Sequence, residues 1–444
     1  MTFPRYERYR QSGADWLGSI PEHWSATRIK TLFEIRKRIA GELGHDVLSV
    51  TQQGLRVRDT DSNDGQLSMD YSKYQLVEPN DFVMNHMDLL TGYVDVSKVH
   101  GVTSPDYRVF TARKKGLSLR FFLYLFQNGY QRRIFYAFGQ GASGLGRWRM
   151  PTDSFNDFIL PVPPLAEQLA IAGLLDRETA KIDALVQEQQ RLMELLKQKR
   201  QAVISHAVTK GLSPKTPMKD SGVEWLGQVP KHWSTAKLRS LTRQIVDGAH
   251  FTPTYVGDGV PFLRVTDITR PTIELEEVKR IPLAEHNELS KRCRPEKGDL
   301  LLSKNGTIGV PKVIDWEWEF SIFVSLCLIK FSDEMNAEYA AFVFRSRAIE
   351  TQIEDGSKQS TVTNLHLEKI ASFRFPVPPL DEQSLIVTRL NEAVSQLDGL
   401  MSTASRAVEL LQERRAALIS AAVTGKIDVR GLVEDVPAHD MAAA

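Results

Sequence analysis

The apolar positions of the chain follow two periods. Over two stretches they recur at alternating three- and four-residue steps, the signature of a helical heptad seam. In the first stretch the seam runs through Ile171, Leu175, Ile182, Leu185, Leu192, Leu196 and Val203. In the second it runs through Ile386, Leu390, Leu397, Leu400, Leu411 and Leu418. Each stretch predicts about 42 helical residues, roughly 63 Å of helix. Such length and charge, broken only by Gly173 or Gly399 as weak points, suit an antiparallel coiled-coil pair better than core helices of ordinary domains. Pro163-Pro164 and Pro378-Pro379 stand where a helix cannot yet have begun. Glu167, Asp381 and Glu382 follow in the first turn, where acids complement the helix dipole.

Elsewhere the apolar runs are short and bounded by turn residues. VPFLRVTDIT (260–269) and GDLLLSKNGTIGVPKVI (298–314) read as strands, with Asn305-Gly306 as a tight hairpin tip. SLRFFLYLFQNGYQRRIFYAF (118–138) reads as an aromatic-rich helix, and AEYAAFVFRSRAIETQIE (337–354) as its counterpart. The Trp/Pro/Gly segments WLGSIPEHW and WLGQVPKHW read as turn-rich entries with tryptophans packed into a core.

These pieces come in pairs. SGADWLGSIPEHWSATRIK (12–30) is repeated as SGVEWLGQVPKHWSTAKLR (221–239). LPVPPLAEQLAI (160–171) is repeated as FPVPPLDEQSLI (375–386), and ELLKQKRQAVISHAVT (194–209) as ELLQERRAALISAAVT (409–424). Three matched blocks in one order make the chain two copies of one unit, each a domain rather than a solenoid layer. The fold class expected is mixed α/β: two duplicated α/β domains and two long helices, closing about a pseudo-two-fold axis as a homodimer would. The middles, 40–140 and 245–355, barely align. Two similar scaffolds therefore contact different things.

At 444 residues, with 42% apolar and 25% charged residues, the chain suits two globular domains with connecting elements. Lysine plus arginine (56) balances aspartate plus glutamate (55), so any nucleic-acid binding must come from local basic loops. Cys293 and Cys327 form neither a CxxC pair nor a zinc cluster. The first residues lack a signal peptide's apolar core and no run reaches a membrane span, so a soluble cytoplasmic protein is expected.

The doubled PxPPLxEQ block, each time followed by a long helix ending near AVISHAVT or ALISAAVT, resembles the specificity (S) subunits of type I restriction–modification enzymes. The resemblance covers nearly the whole length. It implies that residues 1–160 and 213–375 are target-recognition domains, each reading half of a bipartite double-stranded DNA sequence. Residues 161–212 and 376–428 would be the spacer helices that set the gap and dock two methyltransferase (M) subunits, with motor/nuclease (R) subunits joining them. S-adenosylmethionine, Mg2+ and ATP would belong to those partners, none to this chain. Residues 429–444 are expected to be a disordered tail.

The residues themselves offer no catalytic motif. There is no (Asn/Asp)-Pro-Pro-(Tyr/Phe) element, no GxxxxGK(S/T) loop and no HExxH. Gly139–Gly144 satisfies GxGxxG but follows an aromatic helix-like run rather than a strand. The same loop and its counterpart, 355–367, precede the PxPPL joints, and Arg147, Arg149, Lys358 and Gln359 there suit phosphate gripping. Base reading requires Arg, Lys, Asn or Gln on loops that reach a groove. Gln52, Gln53, Arg56, Arg58, Asn85 and His86 are the candidates in copy one, and Arg264, Lys304, Asn305 and Thr307 in copy two. The alternatives are a self-contained enzyme acting on DNA and a coiled-coil assembly protein without a DNA role.

Overall fold

The computed structural model describes residues 3–59, 71–142, 147–270, 272–354 and 364–431. Contacts divide the chain into Met1–Gln189 with Arg406–Ala444, and Gln190–Ser405. Each unit holds one α/β domain and half of each long helix.

In the first unit a four-stranded antiparallel sheet has the order Phe33–Arg36, Arg108–Ala112, Phe82–Met84, Val94–Val96. In the second, Thr242–Asp247, Leu326–Phe331, Leu300–Ser303 and Pro311–Val313 repeat that order and its antiparallel sense. The joints repeat as well: Ser25–Arg28 pairs with Ile159–Val162, and Ser234–Lys237 with Arg374–Val377. The middles diverge as the sequence implies. The first unit adds the hairpin Leu48–Thr51/Gly54–Val57, and the second a strand Val260–Leu263 set parallel to Ser321–Ile322.

The cores follow the residue types available. The first centres on rings: Phe33 meets Phe82, Phe110, Phe122 and Phe126 at centroid distances of 5.2–5.6 Å, mostly edge-to-face, and all are buried. The second is more aliphatic, with Leu300, Leu302 and Ile329 under Tyr339 and Val343. Trp24 and Trp233 are fully buried, one in each core.

The long helices run unbroken from Leu165 to Lys210 and from Leu380 to Val423, through both glycines. Within the second unit they are antiparallel: Gly211 lies beside Glu382 while Arg200 pairs with Asp398 at 3.0 Å. In the first unit Asp183 pairs with Arg415 at 2.8 Å. Toward the start of the first helix, Glu167 reaches His23, and the turn closing the second helix sets Gly425 against Trp24.

The seam is less continuous than its heptads imply. Ile171, Leu175, Ile182, Leu196, Ile386, Leu390, Leu397 and Leu418 are buried, and Val203 and Leu411 pack partly against the cores. Leu185, Leu192 and Leu400 are exposed, at 51%, 43% and 55%. A straight helix drifts about 20° per heptad from a 3.5-residue repeat, so the buried stripe follows each domain rather than one seam.

Other details differ from the expectations. The 118–138 helix ends at Gln131, followed by a separate turn at Phe135–Phe138, with Arg133 between them at a φ of 54°. The 337–354 helix breaks at Arg345-Ser346 into Ala337–Phe344 and Arg347–Glu354. In 260–269 the strand stops at Leu263, and Val265–Ile268 forms one helical turn held by Asp267, which accepts from Arg264 N. Val429, expected to open the tail, is packed instead: it is fully buried in the first core, and Asp428 N donates to Pro4 O. Residues 432–444 lie outside the described residues.

Candidate nucleic-acid interface

The PxPPLxEQ block fixes each domain to its helix. Gln168, 2% exposed, accepts from Ser118 N at 2.9 Å and donates to Pro163 O at 2.9 Å. Gln383 repeats both contacts on Asn336 N and Pro378 O. Ser118 and Asn336 are the N-caps of the helices Leu119–Gln131 and Ala337–Phe344, so each glutamine ties a helix start to the PPL joint. The neighbouring glutamates hook the Trp/Pro entry: Glu167 accepts from Tyr6 and contacts His23, while Glu382 contacts His232 and accepts from Trp233 Nε1. Tyr6's phenol is driven well above its ordinary pKa, by burial first and by Glu167 second. The sequence signals these acids as helix-dipole partners. Their tertiary partners lie some 140 to 160 residues away in sequence and leave no local trace.

On this frame the first-unit candidates form two groups. Gln52 and Gln53 are exposed at the tip of the Leu48–Val57 hairpin. Gly54, at a φ of 105°, lets the chain pass Asp95, whose carboxylate accepts from Leu55 N at 2.7 Å. Arg56 is exposed and donates to Gln53. Arg58 is half-buried, with its backbone N–H on Val47 O.

Asn85 and His86 follow the central strand Phe82–Met84. Asn85 is pinned through its backbone by Tyr93 O and the Tyr130 hydroxyl. His86 O accepts from Met150 N, which brings the strand pair Gln140–Ala142/Arg147–Arg149 alongside. Arg149 is exposed, whereas only the backbone of Arg147 is described. His86, Arg149, Gln140 and Thr152 line a cavity of about 480 Å³ together with Arg108. Sequence reasoning missed Arg108. Strand alternation did carry the signal, because Arg108, Phe110 and Ala112 share one face and Phe110 points into the core.

The second unit corrects one expectation. Lys304 does not sit on a hairpin tip: its residue is 5% exposed and its Nζ donates to Asp247 at 2.8 Å. The connection between Leu300–Ser303 and Pro311–Val313 spans residues 304–310 rather than a two-residue turn. Asp247 also contacts His250 at 2.9 Å and accepts from Arg292. Burial acts to raise its pKa, but the hydrogen bonds and charges of Lys304 and His250 outweigh that and hold it below the ordinary carboxylate range.

Asn305 is half-buried in a bridge with Asn364, and Thr307 is exposed beside Gly306, whose φ is 70°. Arg264 is half-buried with its Nε 3.4 Å from Asp267. Lys358 and Gln359 lie outside the described residues. Among the described residues, no group of His, Cys, Asp or Glu could hold a metal ion, and no helix is long and apolar enough to cross a membrane.

The family model for the type I restriction modification DNA specificity domain matches residues 21–194 and 257–409, one stretch in each copy. The specificity subunit of the type I restriction enzyme EcoBI from Escherichia coli is 23% identical over 327 residues, covering 70% of this chain and 68% of that protein. A chain from a type I R-M system, solved in a study of complex assembly and conformational transition, has a TM-score of 0.68 at 16% identity. The match spans 93% of this chain and 99% of that one. The HsdS subunit from Thermoanaerobacter tengcongensis has a TM-score of 0.51 at 14% identity, over 92% and 98% of the two chains. At such identities the solved structures establish likeness of fold.

Proposed function

The chain belongs to the type I restriction modification DNA specificity family, and from that premise we propose how it divides the work of recognition. It is the DNA-specificity subunit, and each α/β domain reads one half of a bipartite double-stranded target. The observation that carries this reading is the repetition of one frame around unlike contents. The four-stranded sheet, the glutamine tie and the glutamate hook recur in both units, while the surfaces they hold out do not.

In the first unit the readers are Gln52, Gln53 and Arg56 on the hairpin, with Asn85 and His86 on the cavity side. Arg58, Arg264, Asn305 and Thr307 stand as further contacts, and Arg147, Arg149, Lys358 and Gln359 as phosphate contacts. The paired helices act as the spacer, and the exposed Leu185, Leu192 and Leu400 offer apolar contact to methyltransferase subunits, two to each specificity subunit. Methyl transfer and ATP-dependent cleavage, with S-adenosylmethionine, Mg2+ and ATP, reside in the M and R partners. The complex works in the cytoplasm. Family membership gives no support to the alternatives of a self-contained enzyme or an assembly protein without a DNA role.

A domain exchange tests the division. Replacing residues 1–160 with the corresponding domain of another specificity subunit should change one half of the methylated sequence and leave the other. A change in both halves, or in neither, would contradict it.

A further inference from the structure

Arg108 is 4% exposed and stands on the core side of the central sheet, yet among the described residues no carboxylate pairs with it. Its Nη2 donates to Met150 O at 3.1 Å and approaches Thr152 Oγ1 at 3.4 Å, and the guanidinium lies 4.5 Å from the Phe155 ring. Among the described residues its Nη1 has no hydrogen-bond partner, and neither has Nδ1 of His86. Both residues line the 480 Å³ cavity, which also takes Arg149 and Gln140 and, among the described residues, has no acidic residue on its wall.

Burial lowers the Arg108 pKa to about 10. Burial first, and then the charges of Arg108 and Arg149, lower that of His86 to about 3. A buried cation with a free donor is costly to keep unless something anionic completes it.

The second unit shows that the scaffold does not need this charge. Phe110 and Ile329 occupy the same place on the central strand, opposite Phe82 and Leu300. Counting outward along the strands sets Arg108 level with Cys327, and His86 level with Lys304. Cys327 is a buried apolar filler, and Lys304 already has its counter-ion in Asp247. The same fold is closed electrostatically in one copy and left open in the other.

We infer that the cavity walled by Arg108, Arg149, His86 and Gln140 is a receptor for a single phosphoryl group. Guanidinium forks match the tetrahedral oxyanion in geometry and charge. On the DNA reading, on which this deepening rests, the group is one backbone phosphate, seated to register the first domain on its half-site. A free phosphate has the same chemistry, and the test separates the two sources.

The full chain, wild type and with Arg108→Met or Arg149→Gln, is titrated with a random-sequence duplex across a KCl series, and is melted with and without inorganic phosphate. Arg149 is exposed, so its variant keeps the core intact should Arg108→Met fail to fold. Loss of one phosphate contact should lower the slope of log affinity against log salt by about 0.9 and weaken binding roughly tenfold at fixed salt. Inorganic phosphate should raise the melting temperature of the wild type and of neither variant. Phosphate protection lost in the variants with unchanged duplex slopes assigns the pocket to a free anion and removes the DNA backbone as its source. Phosphate protection in a wild type that binds no duplex at any salt overturns the DNA reading and leaves the pocket standing. Unchanged slopes together with undiminished phosphate protection in both variants overturn the pocket and leave the DNA reading intact.

Discussion

Replacing Asp247 by leucine removes the counter-ion from beneath Lys304. The pair is 2.8 Å apart, and both side chains are 6% exposed. At an effective dielectric of about 20 their gross attraction is about 6 kcal/mol, and stranding one partner of a buried pair costs about 3–5 kcal/mol. Asp247→Leu should therefore destabilise the second unit by that amount. Lys304→Met should cost about 1–2 kcal/mol, because Asp247 keeps His250 and Arg292. The double variant removes both charges and should recover about 2–3 kcal/mol relative to the sum of the singles.

Urea unfolding, read out by amide exchange of the central strand Leu326–Phe331, isolates the second unit from the first. A leucine variant no less stable than the double variant would refute the buried-pair account. So would a loss of duplex affinity in Lys304→Met at unchanged stability, because the account assigns Lys304 to Asp247 rather than to a base.

Three further outcomes follow from the geometry. Gln383→Ala strands Asn336 N, Glu334 O and Pro378 O in a position that is 0% exposed, and should lower second-unit stability by about 2–4 kcal/mol in the same assay. Gly425→Ala should cost more than Gly211→Ala in thermal melts: both glycines have positive φ, but a Cβ at Gly425 would meet Pro21 Cδ at 2.4 Å, whereas at Gly211 the nearest atoms are 3.4 Å away. The folded pKa of His86, about 3, lies below its unfolded value. The unfolded chain therefore takes the proton first, and the stabilisation, full above the unfolded pKa of about 6.5, falls as pH drops toward 3. By pH 5 the wild type should lose about 2 kcal/mol that His86→Phe does not lose, measured as first-unit unfolding against pH.

The parts of this fold legible in the sequence are those with local or periodic signals. The long helices declare themselves through three- and four-residue steps and flanking prolines, and the duplication through matched blocks at both joints. Parts set by tertiary contacts were not legible. The burial of Lys304 depends on Asp247, 57 positions earlier. The exposure of Leu185, Leu192 and Leu400 depends on which side of the helix each domain covers. Arg108 lies between: its strand alternation points it inward, but only the pairing with Met84, and His86 two residues on, reveals a cavity.

On the proposed function, this chain chooses the DNA sequence its complex acts on. Mapping N6-methyladenine across genomic DNA tests it directly, comparing cells that carry the chain and its methyltransferase partner with cells lacking only the chain. The expected result is a split methylated motif that vanishes with the chain. An unchanged methylation pattern, with both proteins expressed and assembled, would contradict it.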